Sequence, residues 1–588
     1  MTKLRRIILA ALLLLSAFSA TGEARDIEAL LQTMPLEQKI GQMLLPALPG
    51  AGGGTVKMTP QTAEFLRRYH VGGIILFREN LVDAEQTRQL ISELQAAAPL
   101  PLFIAVDQEG GRVSRLPDGT IMPGNMALGA GGDPELAFLA AKAIGEELAE
   151  LGFNLNLAPV LDINSNPDNP VIGIRSFGED PRLVADLGKA FLRGLHTAGI
   201  AAAVKHFPGH GDVSQDSHHT LPFLPYRLTE LTKRELLPFR EALREQPDMV
   251  MTAHIALPAL ETQVQAGGSG APVPATLSAA VLNGVLRREM GYDGVIITDA
   301  LNMKAVAAHF SPAEIAVKAV AAGADILLMP QPAQAHAALT AAVRQGILSE
   351  QRIDQSLRRI LAVKAKRGLL RNGELFPTLH PDAKKQRDAL AAHLAGRAVT
   401  LLRNQRGILP FSLRPDRRLL LLAPAPEQAE LLRREAAALY RVHGLDDSLI
   451  TAWHYRQGGV EAAVETADLI VLATESANAT DRDPAKSPAA AAAVRLSVLA
   501  KQLGKPVAVM MLRNPYDAAY LPSAPALLAV YAPLSPNMAA GLRVIFGLAQ
   551  PQGRLPVTIP GPGGVLYPAG FGLGFNGGFR EKLHKPVT

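Results

Sequence analysis

The 588-residue chain contains no cysteine. That excludes disulfide staples, a thiolate nucleophile, cysteine-ligated zinc and a bacterial lipoprotein anchor. Stability must therefore come from apolar cores, and the length exceeds one ordinary core, so two domains are expected. A strong charge of one sign is also missing. The formal net charge of +5, spread over this length, argues against a nucleic-acid partner. Nor is the N-terminal apolar run, residues 7–20, long enough to cross a bilayer comfortably. It follows Lys3, Arg5 and Arg6, and small-x-small sequences stand at Ala17-Phe18-Ser19 and Gly22-Glu23-Ala24. This pattern predicts a signal peptide over residues 1–24, an exported mature chain, periplasmic or secreted, and no stable membrane insertion after cleavage. Removal of the leader, with three basic residues against Glu23, takes the formal charge to +3.

What the chain does contain is an alternation of short apolar runs rich in β-branched residues with longer helical patterns. Eight runs stand in the first two thirds, at residues 41–48, 72–77, 102–106, 154–161, 201–205, 249–254, 295–298 and 324–329. Segments such as 134–151 and 312–322 read as amphipathic helices between them. Eight such units predict a (β/α)8 TIM-type barrel over residues 26–372. Polar residues fall where the runs end: Asp107, Asp162, Lys205, His206, His254 and Asp299. That is the carboxyl-terminal rim, where barrel enzymes carry their chemistry. Charged, proline-containing residues 373–390 read as a linker. A second alternation follows, with apolar runs at 419–422, 469–473, 507–512 and 527–531 and helices at 427–438 and 488–503. It predicts a smaller open α/β sandwich domain over 391–575, with a tail at 576–588.

The stretch Lys205-His206-Phe207-Pro208-Gly209-His210-Gly211-Asp212-Val213-Ser214-Gln215-Asp216-Ser217-His218-His219 crowds four histidines and two aspartates into a loop with few apolar residues. Asp216 two residues before His218 has the spacing to bond one ring nitrogen, leaving the other to move a proton. Asp299, just after the seventh run, reads on spacing alone equally as a helix cap or a functional carboxylate.

This loop resembles the signature of the family 3 glycoside hydrolases, in their β-N-acetylhexosaminidase branch. The likeness extends from Leu36-Glu37-Gln38-Lys39-Ile40-Gly41-Gln42-Met43 to Tyr567-Pro568-Ala569-Gly570-Phe571-Gly572-Leu573-Gly574 and includes Leu512-Arg513-Asn514-Pro515-Tyr516-Asp517 in the second domain. The resemblance implies a retaining exo-β-N-acetylglucosaminidase acting on peptidoglycan fragments or related oligosaccharides, without metal or organic cofactor. Asp299, in Ile296-Ile297-Thr298-Asp299-Ala300-Leu301-Asn302-Met303, would be the nucleophile, and Ala300 departs from the family's most familiar pattern there. His218 would be the acid/base with Asp216 as its partner. Asp107, Arg115, Arg175, Lys205 and His206 would bind the sugar, while Asp162, His210, Asp212 and His254 would brace the site. Phosphate in place of water as the acceptor, or a β-glucosidase, are alternatives within the family. Two other classes compete. A metal-dependent hydrolase would use His206, His210, His218 and Asp299, but Pro208 and Gly209 break any helix that would align the first two. A non-catalytic carbohydrate-binding protein would not need both Asp299 and the Asp216/His218 pair, and both are present.

Overall fold

The computed structural model describes residues 26–48, 54–217, 220–261, 272–371 and 381–575. The expected leader and tail, His218, and residues 373–380 of the expected linker lie outside them. Eight parallel strands form the first domain: β1 Leu44–Leu45, β2 Gly73–Ile75, β3 Phe103–Val106, β4 Leu155–Asn156, β5 Ala201–Phe207, β6 Met249–Thr252, β7 Val295–Ile297 and β8 Leu327–Leu328. Strands β2 to β7 pair in chain order. β1 pairs with β8 at Leu44↔Leu327 and Leu45↔Leu328. Bridges Ala47↔Ile75 and Ile297↔Ile326 tie that pair to the two edges of the six-stranded run and close the ring. Every residue of β3 and β5 is buried, as expected of strands enclosed between a packed barrel interior and an outer layer of helices.

The outer helices start and stop where the local chemistry directs. Pro134–Leu151 begins with Asp133 accepting from the Glu135 N–H and ends at Gly152, whose φ of 93° suits glycine. Pro181–Thr197 begins with Asp180 accepting from Arg182 and Leu183. The first expected strand needs trimming, because Leu36–Gln42 is helical and β1 is confined to two residues. β5 runs on to Phe207, and His254 lies two residues beyond the end of β6.

The second domain is a six-stranded sheet of β9 Thr400–Asn404, β10 Leu419–Ala423, β11 Ile450–His454, β12 Leu469–Thr474, β13 Val507–Met511 and β14 Ala526–Ala529, in the order β11-β10-β12-β13-β14-β9. β9 alone runs antiparallel to its neighbour. The sheet alternates its burial between two layers. Leu420 and Leu422 pack with Val464 and Leu496 on one face, and Leu419 and Leu421 with Leu432 and Met538 on the other. The first of these cores also takes in Met126, Ala127, Ala130 and Ile174 from the barrel, so the two domains share buried apolar surface. Part of the segment expected as linker is instead the helix Ala383–Ala398. Its charges are used in folding, since Arg387 pairs with Glu150 through two bonds of 2.9 Å.

Candidate active site

Three barrel strands deliver a compact charge cluster to the rim. Asp107 follows β3, and Glu109 stands two residues further on. From β5, Lys205 Nζ donates to Asp107 Oδ1 at 2.7 Å and lies 2.7 Å from Glu109 Oε1. Arg175, at the end of the short turn Gly173–Arg175, grips Glu109 with Nε at 3.0 Å and Nη2 at 2.7 Å. Burial alone would raise the Glu109 carboxyl, but the Arg175 and Lys205 charges outweigh it and hold the group well below the usual carboxylate range. The Lys205 ammonium is in turn raised, its desolvation overcome by Asp107 and Glu109. Within this cluster Glu109 is 2% exposed and Asp107 20% exposed. Asp107 is therefore the accessible carboxylate of the two, and Glu109 is the internal counter-ion. Arg175 thus orients Glu109 through Nε and Nη2, and its side chain keeps 21% of its surface exposed. Glu109 is absent from the sequence-derived site; the signal for it was a second acidic residue one step past Asp107-Gln108, before a Gly-Gly turn.

Asp162 organises the next layer. It is fully buried, and its Oδ2 lies 2.7 Å from His206 Nδ1. Its Oδ1 accepts the backbone N–H groups of His206 and His210 at 3.2 and 2.7 Å. Desolvation opposes its ionisation, but the interactions with both histidines keep it lowered. His210 is pushed down to about 4, chiefly by burial, and its neutral ring places Nε2 2.8 Å from Ser217 Oγ. Gly211 is required by close approach: a Cβ there would lie 1.7 Å from the Ile163 carbonyl oxygen.

Asp299 stands two residues past β7, half-buried. Its Oδ1 accepts the Ala300 N–H at 2.7 Å, and its own N–H faces Thr252 Oγ1 at 3.4 Å. Burial favours the neutral acid, but His254, His206, the Ala300 N–H and Lys205 together lower its pKa, leaving a carboxylate at neutral pH. His254 is held in place between Thr276 Oγ1 at 2.9 Å from Nδ1 and the Ala300 carbonyl at 3.0 Å from Nε2. The fold thus brings Asp107, Lys205, His206, Arg175 and Asp299 within one electrostatic cluster.

Two further expected residues are placed by their backbones. Arg115 is half-buried, and its N–H donates to Gln108 Oε1 at 2.7 Å. Asp216 is half-buried, and its carbonyl accepts from the Thr220 N–H at 2.9 Å. His218 lies outside the described residues. Among the described residues, no group of three or more His, Asp and Glu side chains is arranged to hold a metal ion.

A closed (β/α)8 barrel with a carboxylate, cations and histidines on its carboxyl-terminal rim, joined to an open α/β sandwich, is a two-domain barrel protein with its charged groups on the face where barrel enzymes carry their chemistry. Residues 35–363 match the model of the glycosyl hydrolase family 3 N-terminal domain, and residues 399–575 that of the family 3 C-terminal domain. The chain belongs to glycoside hydrolase family 3. It is similar to β-hexosaminidase A of Pseudoalteromonas piscicida, at 34% identity over 85% of this chain and 91% of the relative. It also resembles a β-N-acetylglucosaminidase/β-glucosidase of Cellulomonas fimi, at 30% identity over 65% of this chain and 67% of the relative. Among solved structures, a family 3 β-N-acetylglucosaminidase from Paenibacillus sp. str. FPU-7 superposes with a TM-score of 0.77 at 36% identity, covering 89% of this chain and 99% of that one.

Proposed function

We propose that the protein is a retaining exo-β-N-acetylglucosaminidase that removes terminal N-acetylglucosamine from peptidoglycan fragments or related oligosaccharides in the periplasm or outside the cell. The observation that carries this reading is Asp299, a carboxylate kept ionised by His254, His206 and Lys205 on the rim where Asp107 faces solvent. The named activities of the relatives support the N-acetylglucosaminide as substrate.

In the first step Asp299 attacks the anomeric carbon, the glycosidic C–O bond breaks, and the His218 imidazolium protonates the departing oxygen. In the second, the neutral His218 imidazole takes a proton from water as that water attacks the anomeric carbon and releases Asp299. Asp216, two residues earlier in the sequence, is the partner this reading gives to His218 for setting its tautomer. Asp107, supported by Lys205, bonds hydroxyls of the terminal sugar. This cycle needs only amino-acid side chains.

The test is release of chromophore from an aryl β-N-acetylglucosaminide compared with the matching aryl β-glucoside. Strong preference for the N-acetyl substrate is expected. Equal rates, or preference for the glucoside, overturn the substrate assignment.

A further inference from the structure

The loop after β5 carries Asp216 and, in sequence, His218, yet it has little apolar surface with which to hold itself. Val213 and, further on, Leu224 are its buried aliphatic anchors. Polar contacts do the rest, and many converge on one partner, the irregular segment 162–172 that follows β4. Asn169 Nδ2 donates to the carbonyls of His210 and Val213 at 2.8 and 2.9 Å. Its Oδ1 accepts the N–H groups of Val171 and Ile172 at 3.0 and 2.7 Å, which makes this asparagine a two-sided clamp. Ser165 Oγ donates to Asp212 Oδ1 at 2.9 Å, and Asn166 Nδ2 to the Asp212 carbonyl at 3.3 Å.

The other side of this segment rests on the second domain. Asn164 Nδ2 donates to the phenol oxygen of Tyr516 at 2.8 Å, with both side chains buried. Arg482 Nη2 donates to the Pro167 carbonyl at 2.8 Å and pairs closely with Asp168. The Arg482 guanidinium lies 5.1 Å from the Tyr516 ring centre and is 5% exposed, so it cannot swing freely to other partners. Arg482 is itself presented by the short helix Ala479–Arg482, whose cap is Asn478. Domain two, segment 162–172 and the loop after β5 therefore form three layers joined by directional bonds, and each bond defines a position that apolar packing leaves loose.

We propose that Tyr516 and Arg482 are positioning residues for proton transfer: through segment 162–172 they fix residues 210–213, the start of the loop whose sequence continues into the acid/base pair. The inference rests on the acid/base reading given above. It assigns the second domain a part in catalysis without any of its side chains touching substrate. Displacing the loop weakens protonation of the leaving oxygen, and substrates whose leaving groups depart without a proton are spared in that first step.

The experiment compares full-length wild type with Tyr516→Phe, Arg482→Gln and Arg482→Lys on phenyl and 2,4-dinitrophenyl β-N-acetylglucosaminides, with His218→Ala as reference. For Tyr516→Phe and Arg482→Gln, kcat/KM, which reports the glycosylation step alone, should fall about tenfold on the phenyl substrate and less than about twofold on the dinitrophenyl substrate, the pattern of impaired general acid catalysis. Arg482→Lys should recover part of the loss. Tyr516→Phe removes one oxygen and tests the same linkage if the Arg482 variants fail to fold. Equal losses on both substrates, or none on either, overturn the proposal while leaving the assignment of His218 intact if His218→Ala shows the leaving-group dependence. If His218→Ala lacks that dependence, the acid/base reading fails first and the positioning role falls with it.

Discussion

Glu109 offers a quantitative test of the charge cluster, because it is the buried counter-ion of two cations. In Glu109→Gln the shape is kept and one acceptor oxygen remains, but Arg175 loses its carboxylate partner and Lys205 keeps only Asp107 as a directly bonded one. Removing one partner of a buried pair costs about 3–5 kcal/mol, and the retained acceptor places this change near 3 kcal/mol. At about 2.1 cal/mol/K of unfolding entropy per residue, a barrel of this size shifts by about 1.4 °C per kcal/mol, and its melting temperature should fall by about 4 °C. The pH dependence follows from the lowered pKa of Glu109. Its stabilisation is fully present above the unfolded carboxylate value of about 4.3 and is lost only as pH falls through the lower folded value. The gap between wild type and variant should therefore be constant from about pH 8 down to pH 5.5 and narrow only in stronger acid. Differential scanning calorimetry across that range, with KM measured at neutral pH, checks both halves. KM should rise as Lys205 loses its fixed position against Asp107. A melting shift under about 1 °C with unchanged KM, or a gap already closing between pH 7 and pH 5.5, would refute the reasoning.

Asp299→Asn should lower kcat by on the order of a thousandfold or more and leave no glycosyl adduct by intact mass, since an amide is a poor nucleophile; a trapped sugar on that variant overturns the assignment. His218→Ala should lose about 10²–10⁴ on substrates with poor leaving groups, whereas Asp517→Asn, a change in the second domain, loses far less; matching losses would shift the acid role to that domain. Lys364 is fully buried, bonded to Gln42 Oε1 at 2.9 Å and the Pro101 carbonyl at 2.6 Å, and burial pushes it down to about 7. An unfolded lysine keeps its proton to about pH 10.4, so between pH 7 and that value the unfolded state binds more protons and wild-type stability rises with pH. Relative to Lys364→Met, wild type should gain roughly 3 kcal/mol from pH 7 to pH 10 in denaturant titrations; a gap that stays flat refutes the buried-cation argument.

The eight barrel strands were legible because strands packed on both faces need continuous apolar residues, and such runs are visible without knowing their neighbours. The same logic hid two edge strands of the second domain. Ile450–His454 buries only Ile450 fully, so its sequence ITAWH carries no apolar run. Thr400–Asn404 is buried over its first three residues and then turns polar. The helix Ala383–Ala398 was masked by its charges, which read as linker until Glu150 supplied a partner for Arg387.

What the sequence by itself determined is the local part of the chemistry: which strand ends carry Asp107, Lys205, His206 and Asp299, since a polar residue after an apolar run marks the rim whatever the packing. Tertiary structure alone decided the pairings. Glu109 acquired its role from cations 66 and 96 positions away in sequence, at Arg175 and Lys205. Asn164 and Tyr516, 352 residues apart, meet because the domains share a buried core. A pKa or a positioning bond belongs to a neighbourhood, and when its members are far apart along the chain only closure of the barrel and docking of the second domain bring them together.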